Sequence, residues 1–131
     1  DVKFAFDSMD HDVLTQSLLH MGASHGMVGL LLQELHGLRG RFAIPGAGDT
    51  EFFNYERGGK QGGVETPDCW NAIVECASEP VVANWSEQGW GVRYDGNLIH
   101  HAIWADNIVF FATDPNHLQH MVSEATLAFA K

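Results

Sequence analysis

Asp106 and Asn107 interrupt a stretch of the chain that is otherwise strongly apolar, with His101–Trp104 before them and Ile108–Ala112 after them. A carboxylate between two apolar strands is costly to place unless something compensates its charge. A tight strand-turn-strand would present Asp106 at its tip on a rigid base, which suits an acid that holds a hard cation such as magnesium. The alternative is that the pair simply forms a hairpin turn, where both residue types are common.

Two further clusters with residues capable of chemistry precede this pair. The first contains Asp1 and, after three intervening residues, the run Ala5-Phe6-Asp7. The second contains Gln61 and Gly62 at the end of a glycine-rich loop. Glycine lets the backbone come close to a bound molecule, because it has no side chain in the way. The sequence therefore offers carboxylates, an aromatic ring and an open loop at three separate places.

In this order, the three clusters resemble the palm motifs of reverse transcriptases, in particular those of non-LTR retrotransposons and group II introns. The family's first motif, an Asp followed after three residues by Ala-Phe-Asp, matches residues 1–7. Its second motif, Gln-Gly followed by Ser-Pro and an apolar helix with an Asn, is similar to residues 61–71. Its third motif, an aromatic residue followed by Ala-Asp-Asp, is similar to residues 104–107. The resemblance covers essentially the whole chain.

The resemblance implies RNA-directed DNA synthesis by two-metal nucleotidyl transfer from a dNTP to a primer 3′-hydroxyl. The catalytic residues would be Asp1, Asp106 and Asn107. Asp1, Asp106 and the backbone carbonyl of Val2 would bind two Mg²⁺ ions ~3.5–4 Å apart, with Mn²⁺ as a possible substitute. The implied partners are an RNA template, a DNA primer, the dNTP, and the fingers and thumb of a parent polyprotein.

The resemblance also assigns three substrate-binding residues. Phe6 corresponds to the residue that stacks under the sugar and excludes a 2′-hydroxyl, and Gln61 and Gly62 would line the nucleotide and template pocket. Phe6 has an alternative role as an ordinary core residue, and Gln61 as a solvated loop residue. An intracellular location, in the cytoplasm or the nucleus and not in a membrane, is expected for such elements.

Asn107 departs from the family pattern, because the family has a second Asp there. An amide oxygen can still bind magnesium, but it brings no negative charge. A decayed, non-catalytic remnant of a reverse transcriptase is therefore an alternative hypothesis. A third hypothesis is an acidic α+β interaction domain with no nucleotide chemistry, in which Asp1 and Asp106 share no magnesium site.

The charge of the chain argues against a stand-alone nucleic-acid-binding protein. Its 131 residues include 17 Asp and Glu against 7 Lys and Arg, which gives a formal net charge of -10. Phosphate contacts need Lys and Arg. We therefore expect the basic fingers and the thumb to lie outside this chain, with residues 1–131 forming one partial domain, truncated at both ends, that does not polymerise alone.

The pattern of apolar residues predicts an α+β fold, with helices backing a palm-like antiparallel sheet. Thr66 is predicted as the N-cap of a helix that Pro80 kinks or breaks. The cysteines, Cys69 and Cys76, are two turns apart on that helix, which favours free thiols over a disulfide, and no zinc site is expected. Strands are predicted at residues 1–6, 41–44, 51–55, 91–94, 98–104 and 108–112, and further helices at 10–21, 24–36 and 114–131.

Overall fold

The computed structural model describes residues 5–60 and 62–130, which form helices and short antiparallel strands. The α+β class is therefore confirmed. The helices are α1 (Ala5–Ser8), α2 (His11–His20), α3 (His25–His36), α4 (Thr66–Gln88) and α5 (Pro115–Phe129). The strands are β1 (Arg39–Gly40), β2 (Ala43–Ile44), β3 (Gly48–Asp49), β4 (Phe53–Asn54), β5 (Val92–Tyr94), β6 (Asn97–Ile99), β7 (His101–Trp104) and β8 (Asn107–Phe110).

The described strands pair two by two, always antiparallel: β1 with β4, β2 with β3, β5 with β6, and β7 with β8. The single strand predicted over 98–104 is wrong, because His100 separates β6 from β7 and each then pairs with a different neighbour. The predicted strands at 41–44 and 51–55 are only partly correct, since β2 and β4 each keep two residues of them.

Local capping signals set the boundaries of three helices. The Asp10 carboxylate accepts hydrogen bonds from the N–H groups of Asp12 and Val13, at 2.9 and 3.2 Å. These two hydrogen bonds lower the pKa of Asp10, and the one from Val13 has the larger effect. Ser24 caps α3 and Asp114 caps α5 in the same way. The three helices predicted over 10–21, 24–36 and from 114 onward are confirmed.

The first described residues are helical, which corrects part of the predicted strand over 1–6. Residues 1–4 lie outside the described part of the chain, but Ala5 and Phe6 belong to α1. Ala5 is buried and packs with Trp70 and Val74 of α4. The carbonyl of Phe6 accepts a hydrogen bond from Gly59 instead of from a neighbouring strand. Ala5 and Phe6 are therefore buried against a helix. A short apolar run in a sequence does not show whether it will be buried against a helix or in a sheet.

Helix α4 corrects two predictions. Thr66 is its first residue and not its N-cap, which is Glu65 without a side-chain cap. The Thr66 hydroxyl is buried and donates instead to the carbonyl of Lys60, at 2.9 Å. The helix also continues through Pro80, although proline has no N–H for the preceding turn. The helix packs against both α2 and α5. In the described part of the chain, no helix is long and apolar enough to cross a membrane.

The core consists of three clusters of buried side chains, and α4 contributes to each of them. The first joins α2, α3 and α4, the second joins α1 and α4 to the β7–β8 hairpin, and the third joins α4, α5 and β8. Their buried members are Met9, Leu14, Leu35 and Cys69 in the first, Ala5, Trp70 and Val74 in the second, and Trp85, Met121 and Ala125 in the third.

Cys69 and Cys76 are both free thiols, as predicted. Burial in the first cluster raises the pKa of Cys69 from 9.0 to about 11, and Glu65 and Asp68 nearby add to the effect. As the pH rises, the thiol of Cys69 therefore ionises at a lower pH in the unfolded chain than in the folded one.

We expect the free energy of unfolding to fall as the pH rises from 9 toward 11, because the unfolded chain releases the proton of Cys69 first. Urea denaturation at several pH values tests this, and the fall should be smaller in Cys69→Ala; an equal fall in both proteins would contradict the assignment.

Candidate active site

The β7–β8 hairpin presents Asp106 at its tip, as the sequence predicts. Trp104 pairs with Asn107, so the connecting loop has only two residues, Ala105 and Asp106. Asp106 is half-buried and Asn107 is exposed beside it. The amide of Asn107 donates a long hydrogen bond to Oδ1 of Asp106, at 3.5 Å. One carboxylate and one amide oxygen therefore lie at the end of a short ribbon.

Ala105 carries backbone strain in this loop. Its φ is +53°, in the left-handed region that residues other than glycine rarely enter. For an L-residue this conformation costs roughly 1–2 kcal/mol. The neighbouring β5–β6 hairpin has Asp95 and Gly96 at the corresponding positions, both with positive φ. That pair is among the best suited to a two-residue hairpin loop, whereas Ala-Asp is not.

Phe6 lies on the same core cluster as this hairpin. Its ring is partly buried and packs, together with Ile103 and Ile108, against the cluster of Ala5, Trp70 and Val74. Ile103 and Ile108 are also a pair in the β7–β8 ladder, three and two positions from Asp106 in the sequence. The structure thus brings the second half of the first motif and the third motif to one side of α4.

The glycine-rich loop is fixed to the chain that follows Phe6. The N–H of Gly58 donates to the carbonyl of Met9 at 2.7 Å, and the N–H of Gly59 donates to the carbonyl of Phe6 at 3.0 Å. The side chain of His11 contacts the loop as well, with its Nε2 2.8 Å from the carbonyl oxygen of Gly58. Backbone hydrogen bonds therefore hold the loop that leads into the second motif against Phe6 and Met9, and no side-chain pattern in the sequence indicates this contact.

Several predicted site residues lie outside the described residues, namely Asp1, Val2 and Gln61. Gly62 is described and is exposed, with φ at +80°. A methyl group at Gly62 would have no atom within 4 Å, so the loop there is open to solvent. Of the seven predicted site residues, the structure thus brings Phe6 to the hairpin of Asp106 and Asn107.

A cleft of about 500 Å³ lies beside the glycine-rich loop, and sequence reasoning did not anticipate it. It is lined by Asp7, Leu38, Arg39, Tyr55, Gly59 and Lys60. Arg39 and Lys60 make no ion pair with any described residue. The one indication of this cleft in the sequence is that Arg39 and Lys60 lie in the same stretch, which is rich in glycine and arginine.

Two histidines at the start of the hairpin have different surroundings. His100 Nε2 lies 3.2 Å from the hydroxyl of Ser86, whereas His101 lines a groove with Cys76 and Glu75. Desolvation lowers the pKa of both imidazoles. Nδ1 of His101 is buried and has no hydrogen-bond partner among the described residues.

Among the described residues, no group of three or more His, Cys, Asp or Glu side chains could hold a metal ion. The predicted magnesium site includes Asp1, which lies outside the described residues. No protein-family model matches the sequence, and no curated protein is significantly similar to it.

Proposed function

We propose that this chain is the catalytic palm segment of a reverse transcriptase of the non-LTR retrotransposon or group II intron type. The observation that carries the proposal is the common cluster formed by Phe6 of the first motif with Ile103 and Ile108, which flank the third. Hydrogen bonds from Gly58 and Gly59 to Met9 and Phe6 join the loop that leads into the second motif to the same place. Phe6 thus links that loop with the residues beside the third motif, which supports a shared active site.

The donor set fits magnesium. Asp1 and Asp106 provide carboxylate oxygens and Val2 a backbone carbonyl, and such hard oxygen ligands are those that Mg²⁺ prefers. When bound, two such ions activate the primer hydroxyl and neutralise the charge on the triphosphate.

The chain's own residues have separate tasks in this proposal. Asp106 supplies negative charge from a tip whose base is anchored in the core. Phe6 offers its partly buried ring as the floor under the sugar of the incoming nucleotide. Gln61 and Gly62 line the pocket for the nucleotide and the template. Transfer proceeds as the primer 3′-oxygen forms a bond with the α-phosphorus and pyrophosphate leaves.

A non-catalytic remnant is the second candidate, and Asn107 is the observation that favours it. Its amide contributes no charge beside Asp106, and its N–H group points to the carboxylate at 3.5 Å. In the complete polyprotein, Asn107→Asp would raise primer extension strongly if activity has decayed. Comparable extension by the parent and the variant would favour an active enzyme that tolerates the amide.

Mn²⁺ binding by the chain tests the magnesium site without requiring polymerisation. Asp106→Asn should weaken binding by ~tenfold or more, and Asn107→Asp should strengthen it, because affinity follows the number of charged ligands. The matched control is Asp95→Asn, since Asp95 lies in the two-residue loop of the adjacent hairpin. Electron paramagnetic resonance of free Mn²⁺ gives the readout. Equal affinities for the parent and Asp106→Asn would contradict the proposal and favour an acidic interaction domain.

A further inference from the structure

Basic residues are concentrated in one part of this acidic protein. Residues 39–60 contain four of the seven Lys and Arg residues but only three of the 17 Asp and Glu residues, so their formal charge is +1 while that of the whole chain is -10. The four are Arg39, Arg41, Arg57 and Lys60. The same range forms the β1–β4 and β2–β3 ribbons and leads into the glycine-rich loop. The overall charge therefore conceals a local surface that can meet an anion.

Three exposed aromatic rings run across these ribbons, and we call Phe42, Phe53 and Tyr55 the aromatic row. The ring centres of Phe42 and Phe53 are 5.2 Å apart in a stacked arrangement, and those of Phe53 and Tyr55 are 5.7 Å apart. Their exposed fractions are 65%, 38% and 39%. Adjacent aromatic rings left in water mark an interaction surface more often than isolated ones do.

The aromatic row ends at the cleft that holds two cations. Tyr55 lines that cleft together with Arg39 and Lys60. Neither base is paired with a carboxylate among the residues that the structure describes. The carboxylate of Asp7 also lines the cleft, but one acid against two bases leaves a positive excess. A ligand that lies along the row would thus carry negative charge at its cleft end.

We propose that the aromatic row and the cleft bind single-stranded nucleic acid, with bases against Phe42, Phe53 and Tyr55 and a phosphate between Arg39 and Lys60. Stacking of bases on exposed rings beside a basic groove is how proteins hold single strands without reading their sequence. A duplex fits less well, because neighbouring bases already cover the faces of its bases, whereas the bases of a single strand can stack on exposed rings. Two basic side chains beside the row, without a carboxylate partner among the described residues, favour a ligand that carries phosphates over a protein partner.

The remaining arginine and the remaining phenylalanine of the ribbons, Arg41 and Phe52, are engaged with other partners. Arg41 is paired with Asp49 at 2.8 Å and lies over the ring of Phe52, 5.4 Å from its centre. Arg41 and Phe52 therefore form a separate pair. The inference rests on the proposed function only in identifying the bound strand as the template.

Fluorescence anisotropy tests the proposal with a labelled oligouridylate and a labelled oligothymidylate of about 12 nucleotides, in EDTA. We expect the chain to bind both strands and to bind the corresponding duplex more weakly. Phe42→Ala should weaken binding by about fivefold or more, since one stacked base contributes about 1–3 kcal/mol. Phe42→Trp should retain binding, because the ring remains. The matched control is Phe52→Ala, whose ring has the same 65% exposure but lies outside the row.

Lys60→Gln addresses the phosphate contact. It should reduce the salt dependence of binding by about 0.7 in the slope of log affinity against log salt, as for one phosphate of a single strand. Arg93→Gln is the control, because Arg93 is exposed and belongs to β5, which is not part of either ribbon. Circular dichroism and urea midpoints of all variants establish that they are folded.

Equal effects of Phe42→Ala and Phe52→Ala, duplex binding as tight as single-strand binding, or a salt slope unchanged in Lys60→Gln would each overturn the inference. Loss of self-association in Phe42→Ala, measured by sedimentation velocity, would overturn it in favour of a contact between two copies. Because the assay excludes divalent ions, its failure is independent of the Mn²⁺ result for Asp106. If the chain bound single strands but had no Mn²⁺ site, the polymerase proposal would be wrong and the strand-binding inference would stand.

Discussion

Replacing Trp85 with alanine is expected to lower the free energy of unfolding by ~3–5 kcal/mol, the range for removing a buried aromatic side chain. Trp85 has 0% exposure and packs with Met121 and Ala125 of α5. Its ring meets that of Phe110 edge to face, at 5.9 Å between centres. The indole N–H also donates to the carboxylate of Glu124 at 2.7 Å, and the variant would leave that acceptor without its donor.

Trp104→Ala is the matched control for this substitution. Trp104 is 82% exposed at the end of β7, so its removal leaves no cavity. Its effect should stay within about 0.5 kcal/mol, as for surface residues in general. Urea denaturation followed by circular dichroism measures both variants. A smaller loss of unfolding free energy in Trp85→Ala than in Trp104→Ala would mean that the third cluster does not stabilise the fold, despite the burial of Trp85.

Gly58→Ala is expected to destabilise the chain by roughly 2–5 kcal/mol, for two reasons that add. The φ of Gly58 is +81°, which costs an alanine roughly 1–2 kcal/mol. A methyl group there would also lie 2.8 Å from the carbonyl oxygens of both Phe6 and Asp7, and such overpacking costs roughly 1–3 kcal/mol. The substitution therefore separates the glycine-rich loop from α1, and with it the second motif from the first.

Gly46→Ala separates these two contributions. Gly46 has the same φ of +81°, but a methyl group there would have nothing within 4 Å. Its cost should therefore come from the backbone alone, at roughly 1–2 kcal/mol. The difference between the two urea-unfolding free energies gives the cost of the close approach at Gly58. Equal losses would mean that the loop moves away from α1 at no cost.

The parts of the fold that the sequence predicted well are governed by neighbours in the chain. Asp10, Ser24 and Asp114 each cap a helix through a hydrogen bond to a residue two or three positions ahead. The position of Asp106 at a hairpin tip follows from the apolar runs on both sides of it. Such signals do not depend on where the rest of the chain lies.

The failures arise where a distant contact decides. Thr66 has the side chain of an N-cap, but its hydroxyl is used by the carbonyl of Lys60 in the glycine-rich loop. Pro80 has a helix-breaking ring, but α4 continues through it and packs against both α2 and α5. The helical state of Ala5 and Phe6 depends on α4, some 60 residues later in the chain. Local patterns cannot contain this information.

The candidate site shows the same division. Asp106 and Asn107 could be placed from their own surroundings, whereas the cleft needed Arg39, Tyr55 and Lys60 to be brought together across a ribbon. Periodicity gave no sign of the aromatic row, because β1 to β4 contain only two residues each and alternation over such lengths is not distinctive. The pairing of those short strands decides which rings are neighbours.

The continuity of α4 through Pro80 determines how the protein unfolds. This one helix supplies Cys69 to the first cluster, Trp70 and Val74 to the second, and Trp85 to the third. None of the three can melt independently while the helix they share remains the scaffold of the other two. Denaturation should accordingly be a single all-or-none event, in which the hairpin of Asp106 and the glycine-rich loop lose their order together.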